Sequence, residues 1–292
     1  MENETQPKTR RKGKRSFKYV IRFFQIIFGL IAVFVISFFI TLAWRASEDK
    51  LPEIEERYSV SPNVNNSPVK RNLPPPREVG IGEKFDRIFN IEDAVTTERS
   101  KIRRYVLFKD IPRALRQAFI AVEDKRFYAH SGFDIESIAR ATVVNVEEGE
   151  IAQGGSTITQ QLAKNLFLTQ ERSFTRKVEE LFLAIQIERH YDKNKILELY
   201  LNTIYFGSDF YGIYEAAHGY FGKEPKDLSV AECAMLAGIP NAPSIYSPYV
   251  NFMLAKQRQL VVIDAMVKAH FLGKYEAEDA RVEEITLSNG VY

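Results

Sequence analysis

The segment FTRKVEELFLAIQIERH (174–190) has the pattern that decides the fold of this 292-residue chain. Its apolar residues recur at helical spacing and occupy two faces. One face is Val178, Leu181, Phe182 and Ile185, and the other is Leu183 and Ile187 on either side of Glu180. A helix that is apolar nearly all round is predicted to be buried, with Glu180 inside the protein. Arg176, one turn earlier, is the predicted ion-pair partner of Glu180.

Helical spacing continues on both sides of this segment, from about Phe108 almost to the C-terminus. Asp110 with Pro112 is predicted to start one helix, and Ser229 with Glu232 has the pattern of a capping box for another. Further helices are predicted over 134–147, 157–166, 193–205 and 210–221, and the pattern continues through 250–282. There are no long alternating runs and no internal repeat, so the sequence predicts a mostly α-helical domain.

The N-terminal part has a different organisation. FFQIIFGLIAVFVISFFITLAW (23–44) has no charged residue and, at about 1.5 Å per residue, can cross a hydrocarbon core of about 30 Å. It is predicted to be a transmembrane helix, with a buried core helix as the alternative. The eight cations of residues 1–22, against two acidic residues, predict a cytoplasmic tail. Residues 45–107, rich in Pro and Asn, are predicted to be an extracytoplasmic tether that leads to a folded domain at 108–292.

Composition excludes several classes of function. The net charge is +2, and outside the basic tail the chain is slightly acidic, which argues against a nucleic-acid partner. The single cysteine, Cys233, excludes an intramolecular disulfide and a Cys-based metal cluster, and is predicted to be a buried small hydrophobe. Four histidines without HExxH exclude a zinc protease of that type.

Two glutamates stand out as candidates for chemistry. Glu123 is predicted to border the apolar stripe of the helix from Asp110, where burial raises the pKa of a carboxyl and makes it a usable base. Between Glu123 and Glu180 lies GGSTITQQLAKN (154–165), whose small and amide side chains open a helix and can line a polar groove. Nearby cations are Arg140, Lys164, Arg172, Arg176 and Lys177. Two carboxylates together with this group of cations indicate base-assisted attack on a substrate with an anionic phosphate leaving group. The alternative for each glutamate is an exposed surface position without a role in catalysis.

Five segments, in this order, resemble the five signatures of the peptidoglycan glycosyltransferases. This is family 51 of the glycosyltransferases, found in bifunctional penicillin-binding proteins and in monofunctional relatives. The segments are EDKRFYAHSGFD (123–134), GGSTITQQLAKN (154–165), RKVEELFLAIQIE (176–188), KILELYLNTIYFG (195–207) and AECAMLAGIPNAPSIYSP (231–248). The resemblance covers residues 108–270. It implies a lysozyme-like helical head with a smaller, membrane-associated jaw, and lipid II as the substrate.

The resemblance also implies roles for individual residues. Glu123 matches the general base that deprotonates the acceptor 4-hydroxyl, and Glu180 matches a second glutamate that assists at the donor pyrophosphate or positions the acceptor. The implied substrate-binding residues are Arg140, Lys164 and Arg172 among the cations, and Ser156, Thr157, Gln161 and Asn165 along the cleft. Arg176, the predicted partner of Glu180, is a further candidate for substrate binding. The implied product is a β-1,4-linked glycan formed with inversion, with release of undecaprenyl pyrophosphate. No cofactor is required, although Asp124 is a candidate ligand for a divalent cation such as Mg²⁺ or Mn²⁺.

The expected setting is the bacterial cell membrane, with the domain on the outer side. Expected partners are lipid II, the growing glycan strand, membrane lipids and other cell-wall enzymes. Ser67 and Lys70 match the SxxK motif of a transpeptidase, but they lie in the predicted tether and the sequence has no KTG motif. A monofunctional glycosyltransferase is therefore expected, with a truncated bifunctional enzyme as the alternative. A lysozyme-like lytic enzyme and a non-catalytic membrane adaptor are the competing functions. His130 is expected to form a structural hydrogen bond near Glu123 rather than to transfer a proton.

Overall fold

The computed structural model describes residues 76–77, 79–148, 155–169 and 173–289. The predicted basic tail, the predicted transmembrane helix and about half of the predicted tether lie outside these residues. Across the described ranges, every helix is too short or too polar to span a membrane.

The described residues form twelve α-helices. They are α1 (Ile81–Phe89), α2 (Ile91–Ser100), α3 (Arg113–Glu123), α4 (Ile135–Glu148), α5 (Ile158–Phe167), α6 (Phe174–His190), α7 (Lys193–Thr203), α8 (Ile213–Phe221), α9 (Val230–Gly238), α10 (Pro243–Tyr246), α11 (Phe252–Lys268) and α12 (Lys274–Val282). Short 3₁₀ turns occupy Phe108–Asp110, Phe127–Ala129, Pro225–Asp227 and Ile239–Asn241. Extended pairing within the described ranges is limited to one bridge, between Tyr205 and Tyr211. The predicted mostly helical fold is confirmed.

The core is built around α9, which is buried from Ala231 to Gly238 and packs against α3 and α11. Beside it, α7 is buried from Ile196 to Thr203 and packs on α5. Phe119 of α3 links the two groups of helices, because its ring lies edge-on to Tyr200, 5.7 Å away. As predicted, Ser229 and Glu232 form a capping box at the start of α9, and Cys233 is fully buried.

Helix α6 begins and ends at the predicted residues, but only one of its apolar faces is fully covered. The buried residues are Glu180, Leu183, Ala184 and Ile187, so the prediction that Glu180 lies inside is confirmed. The other face is only partly covered, and Phe182 is 52% exposed. The prediction that both faces are buried was therefore wrong, because apolar spacing shows which residues share a face but not whether a neighbour covers that face.

The folded region also begins earlier than the predicted boundary at residue 108. Helices α1 and α2 lie within the predicted tether, and α2 buries Ile91 and Val95 in the core. Val106 is buried as well. At the start of α3, Asp110 belongs to a 3₁₀ turn, and Pro112 is the residue that immediately precedes the helix.

The segment that leads into α3 is held on α7 by buried polar contacts. Asn202 Oδ1 accepts the Val106 N–H at 2.8 Å, and Asn202 Nδ2 donates to the Val106 carbonyl at 2.9 Å. One turn earlier, Glu198 Oε2 accepts the Phe108 N–H at 2.7 Å. Glu198 Oε1 accepts the Tyr105 hydroxyl at 2.6 Å. These contacts satisfy backbone groups that have no partner in a helix or sheet.

Replacing Asn202 with Leu should destabilise the domain, because both backbone groups of Val106 then lose their buried partner. We expect the free energy of unfolding to fall by about 2–4 kcal/mol, since each unsatisfied buried group costs about 1–3 kcal/mol. Thr203→Val is the matched control: its hydroxyl donates only to carbonyls of its own helix, at 3.0 and 3.1 Å. Chemical denaturation measures both variants, and equal stability of Asn202→Leu and wild type would contradict the role of this contact.

Candidate active site

A cavity of about 590 Å³ opens between the end of α3, the start of α5 and one face of α11. Glu123, the last residue of α3, lies in its wall. Predicted site residues that also line this cavity are Arg140, Ser156, Thr157 and Gln161, together with Asp124. The structure therefore brings the first signature and the start of the second together around one space.

Glu123 is oriented by a chain of two hydrogen bonds. Gln161 Nε2 donates to Glu123 Oε2 at 2.8 Å, and the buried Tyr200 hydroxyl donates to Gln161 Oε1 at 3.0 Å. Burial raises the pKa of the Glu123 carboxyl, and the hydrogen bond from Gln161 and the charges of Arg258 and Lys164 only partly offset that rise. A carboxyl with a raised pKa, held in one orientation, is suited to accepting a proton.

Asp124 fastens the loop after Glu123 to the start of α5. Its Oδ2 accepts the Ile158 N–H at 3.0 Å and lies 2.9 Å from His130 Nε2. The predicted structural hydrogen bond of His130 is thus confirmed. A second tie between the same segments is the Thr157 hydroxyl, which donates to the Gly132 carbonyl at 2.7 Å.

The predicted cation site at Asp124 stays a prediction. Its carboxylate oxygens already contact His130 and the Ile158 N–H. Within the described ranges, no three or more His, Cys, Asp or Glu side chains are grouped so that they could hold a metal ion.

Glu180 does not line the cavity of Glu123. It is 3% exposed, and both of its carboxylate oxygens are engaged, one by Arg176 Nη1 at 2.9 Å and the other by Lys177 Nζ. The predicted pair with Arg176 is confirmed. Lys177 Nζ also donates to Ser156 Oγ at 2.9 Å, and Ser156 lines the cavity. Lys177 therefore joins Glu180 to Ser156 in the wall of the Glu123 cavity.

The remaining predicted residues lie at different places. Lys164 and Asn165 line a second cavity of about 400 Å³, which shares Gln161 with the first. Arg176 lines a smaller cavity of about 290 Å³ between α1, the end of α5 and the first turns of α6. Arg172 lies outside the described residues.

The sequence did not identify the face of α11 that completes the cavity. Arg258, Val261, Ala265 and Lys268 line it at helical spacing. Arg258 can approach because Gly238 has no side chain: a Cβ on Gly238 would lie 2.8 Å from Arg258 Cγ. The spacing could have shown that these residues share one face, but not that the face meets Glu123.

A helical domain with a carboxyl of raised pKa beside amides and cations is an arrangement suited to proton transfer in an enzyme. Residues 91–267 match the transglycosylase family, and the chain belongs to that family. It carries a peptidoglycan glycosyltransferase domain related to that of bifunctional penicillin-binding proteins, as the five signatures predicted. The match begins within α2, so α1 lies outside it.

Curated relatives include two that match most of this chain. Penicillin-binding protein 1F of Bacillus subtilis (strain 168) is 48% identical over 189 residues, which are 65% of this chain and 26% of the relative. Penicillin-binding protein 1A of Aquifex aeolicus (strain VF5) is 42% identical over 226 residues, 75% of this chain and 31% of the relative. The crystal structure of penicillin-binding protein 1A from Haemophilus influenzae is 26% identical, with a TM-score of 0.38, and the match covers 64% of this chain and 18% of that one. The chain spans less than a third of these proteins' lengths.

The raised pKa of Glu123 predicts a pH-dependent effect of Glu123→Gln on stability. Burial disfavours the ionised carboxylate in the folded state, so wild type loses stability as the pH rises from the ordinary value of 4.5 through the raised one. Glutamine does not ionise, and the melting temperature of Glu123→Gln relative to wild type should increase over this range and then level off. Thermal melting from pH 4 to pH 8 measures the effect. Glu284→Gln, at an exposed position, is the control, and a constant difference for Glu123→Gln would contradict the desolvation of Glu123.

Proposed function

We propose that this domain polymerises lipid II into linear glycan strands in bacterial cell-wall synthesis. The observation that carries the proposal is Glu123: a carboxyl with a raised pKa, in a cavity wall, oriented by Gln161 within a family-matching region. The transglycosylase family and the penicillin-binding relatives support the reaction class.

In the proposed reaction Glu123 takes the proton of the acceptor 4-hydroxyl. The oxygen attacks the anomeric carbon of the donor from the face opposite the leaving group, so an α-linked donor gives a β-1,4 bond with inversion. The bond from that carbon to the pyrophosphate oxygen breaks, and undecaprenyl pyrophosphate leaves as an anion. The proposed cations for this charge are Lys164, Arg140 and Arg172, of which Arg172 lies outside the described residues. Fixed positive groups stabilise the negative charge that develops on the leaving group in the transition state.

Glu180 has a different proposed role. Its oxygens hold Arg176 and Lys177, and Lys177 reaches Ser156 at the cavity. We therefore propose that Glu180 acts on the donor side through these cations, which it holds in position.

The proposed location is the bacterial membrane, with the domain at its outer surface. The partly covered face of α6 supports contact with membrane lipids, because Phe174 and Phe182 are 53% and 52% exposed there. The transmembrane span 23–44 and the monofunctional character stay predictions, as do partners among other wall enzymes.

The competing function is a lytic enzyme that cleaves the glycan, in which Glu123 acts as a general acid. A raised carboxyl pKa suits that role equally well. Cations near the site favour synthesis, because a glycosidic leaving group is neutral once protonated. Full-length protein incubated with lipid II and, separately, with polymeric glycan distinguishes the two: shortening of the polymer without use of lipid II would refute polymerisation.

Glu123→Gln should nearly abolish polymerisation. The amide keeps the size of the side chain but cannot take the hydroxyl proton, and loss of general-base assistance is worth about 10² to 10⁴-fold in rate. A gel of products from labelled lipid II measures the rate. Substantial polymerisation by correctly folded Glu123→Gln would remove Glu123 from the mechanism.

Glu180→Gln should differ from Glu123→Gln in the binding of phosphoglycolipid inhibitors. Glu180 holds Arg176 and Lys177 in place, and its neutral variant leaves these cations without that fixed orientation, so inhibitor affinity should fall by about tenfold, the value of one lost charge-assisted contact. Glu123→Gln should leave that affinity within about twofold, because the inhibitor's phosphate does not need a base. Equal affinities for both variants would contradict the division of roles.

A further inference from the structure

Helix α1 lies before the family match, contacts the end of α5 through Arg87 and packs on α6. We propose that α1 is a clasp that fixes the end of α5 against α6, and that Arg87 and Lys84 are positioning residues for the reaction. The effect on rate rests on the proposed function, whereas the clasp itself does not.

The main contact of the clasp is made by Arg87, whose side chain is 11% exposed. Arg87 Nη1 donates to the Phe167 carbonyl, at the last residue of α5, at 3.0 Å. The last carbonyls of a helix have no hydrogen-bond partner within it and carry the negative end of the helix dipole. A guanidinium at this position therefore supplies the missing hydrogen bond and a favourable charge. The guanidinium carbon also lies 5.6 Å from the centre of the Phe167 ring.

The orientation of Arg87 is fixed within α1 itself. Glu83 Oε1, one turn earlier, accepts from Arg87 Nη2 at 3.0 Å. Arg87 Nη1 and Nη2 are thus both hydrogen-bonded, one to the end of α5 and the other to α1 itself.

The second contact joins α1 to α6. Lys84 Nζ lies 2.7 Å from Glu179 Oε2, and Glu179 precedes Glu180 in the sequence. Successive residues of a helix point about 100° apart, so Glu179 and Glu180 lie on different faces of the same turn of α6. Glu179 contacts α1 on one face, and Glu180 binds Arg176 and Lys177 on the other. Lys84 is 44% exposed, so this ion pair is expected to be the weaker of the two contacts.

The site depends on the placement that these contacts fix. Helix α5 carries Gln161, Lys164 and Asn165, and α6 carries the ion-paired cluster of Glu180. A displacement of about 1 Å at reacting groups can cost about 10²-fold in rate, so a smaller shift after loss of the clasp should be measurable. Helix α1, which precedes the family match, would therefore position the residues of α5 and α6 rather than only connect the domain to the N-terminal segment.

The test uses the full chain in detergent with labelled lipid II. Arg87→Ala should lower kcat about tenfold with KM within about twofold, since it disturbs positioning rather than contact with substrate. Arg87→Lys, which keeps a cation and a donor, should recover part of the rate. Lys101→Ala removes a cation from a surface pair with Glu98 on α2 and should leave the rate within about twofold.

A charge swap separates positioning from simple loss of stability. Lys84→Glu and Glu179→Lys should each lower the rate, and the double variant should recover at least half of it, because the ion pair is restored with reversed charges. A double variant no faster than either single variant would overturn the proposal, as would wild-type kcat in folded Arg87→Ala.

Hydrogen exchange tests the clasp independently of activity. In Arg87→Ala the backbone amides of the last turn of α5 and the first turns of α6 should exchange about tenfold faster, while those of α9 are unchanged. Unchanged exchange at α5 and α6, or an equal increase everywhere, would overturn the clasp. Failure of wild type to polymerise lipid II would instead refute the proposed function, and the exchange measurement would still decide the clasp.

Discussion

The carboxylate of Asp124 is the constraint on which the rest of the site depends. It accepts the first N–H group of α5, that of Ile158, and contacts His130 in the loop that follows Glu123. These contacts fix the end of α3 against the start of α5. Gln161 lies one turn into α5, so its hydrogen bond to Glu123 follows from that placement. A buried carboxyl of this kind is stable because hydrogen-bond partners satisfy it.

The same packing produces the electrostatics of Glu123. Helix α3 rests on the buried α9 and on α11, which brings one face of α11 over the cavity. Glu123 is thereby partly buried while the charge of Arg258 remains close, and desolvation is the larger effect, so the pKa rises. Gly238 permits the close approach of Arg258, so a core position of α9 contributes to the chemistry of the site.

Local patterns in the sequence predicted much of this structure. Helix α6, the capping box of α9 and the pair of Arg176 with Glu180 depend on residues within one helix, and all were predicted. Helices α1 and α2 were missed because their segments are short and highly charged, and their burial depends on the distant α6. Arg258 was missed for a similar reason, since only tertiary packing brings it near Glu123.

The pH dependence of kcat/KM for lipid II polymerisation reports the essential base of the free enzyme and so tests whether Glu123 is that base. The profile should have an acidic limb whose apparent pKa lies above the ordinary glutamate value of 4.5, in the direction that burial shifts Glu123. Activity should therefore be lost as the pH falls through that raised value. A rate that stays constant down to pH 4.5, in protein that remains folded, would contradict the assignment of Glu123 as a desolvated general base.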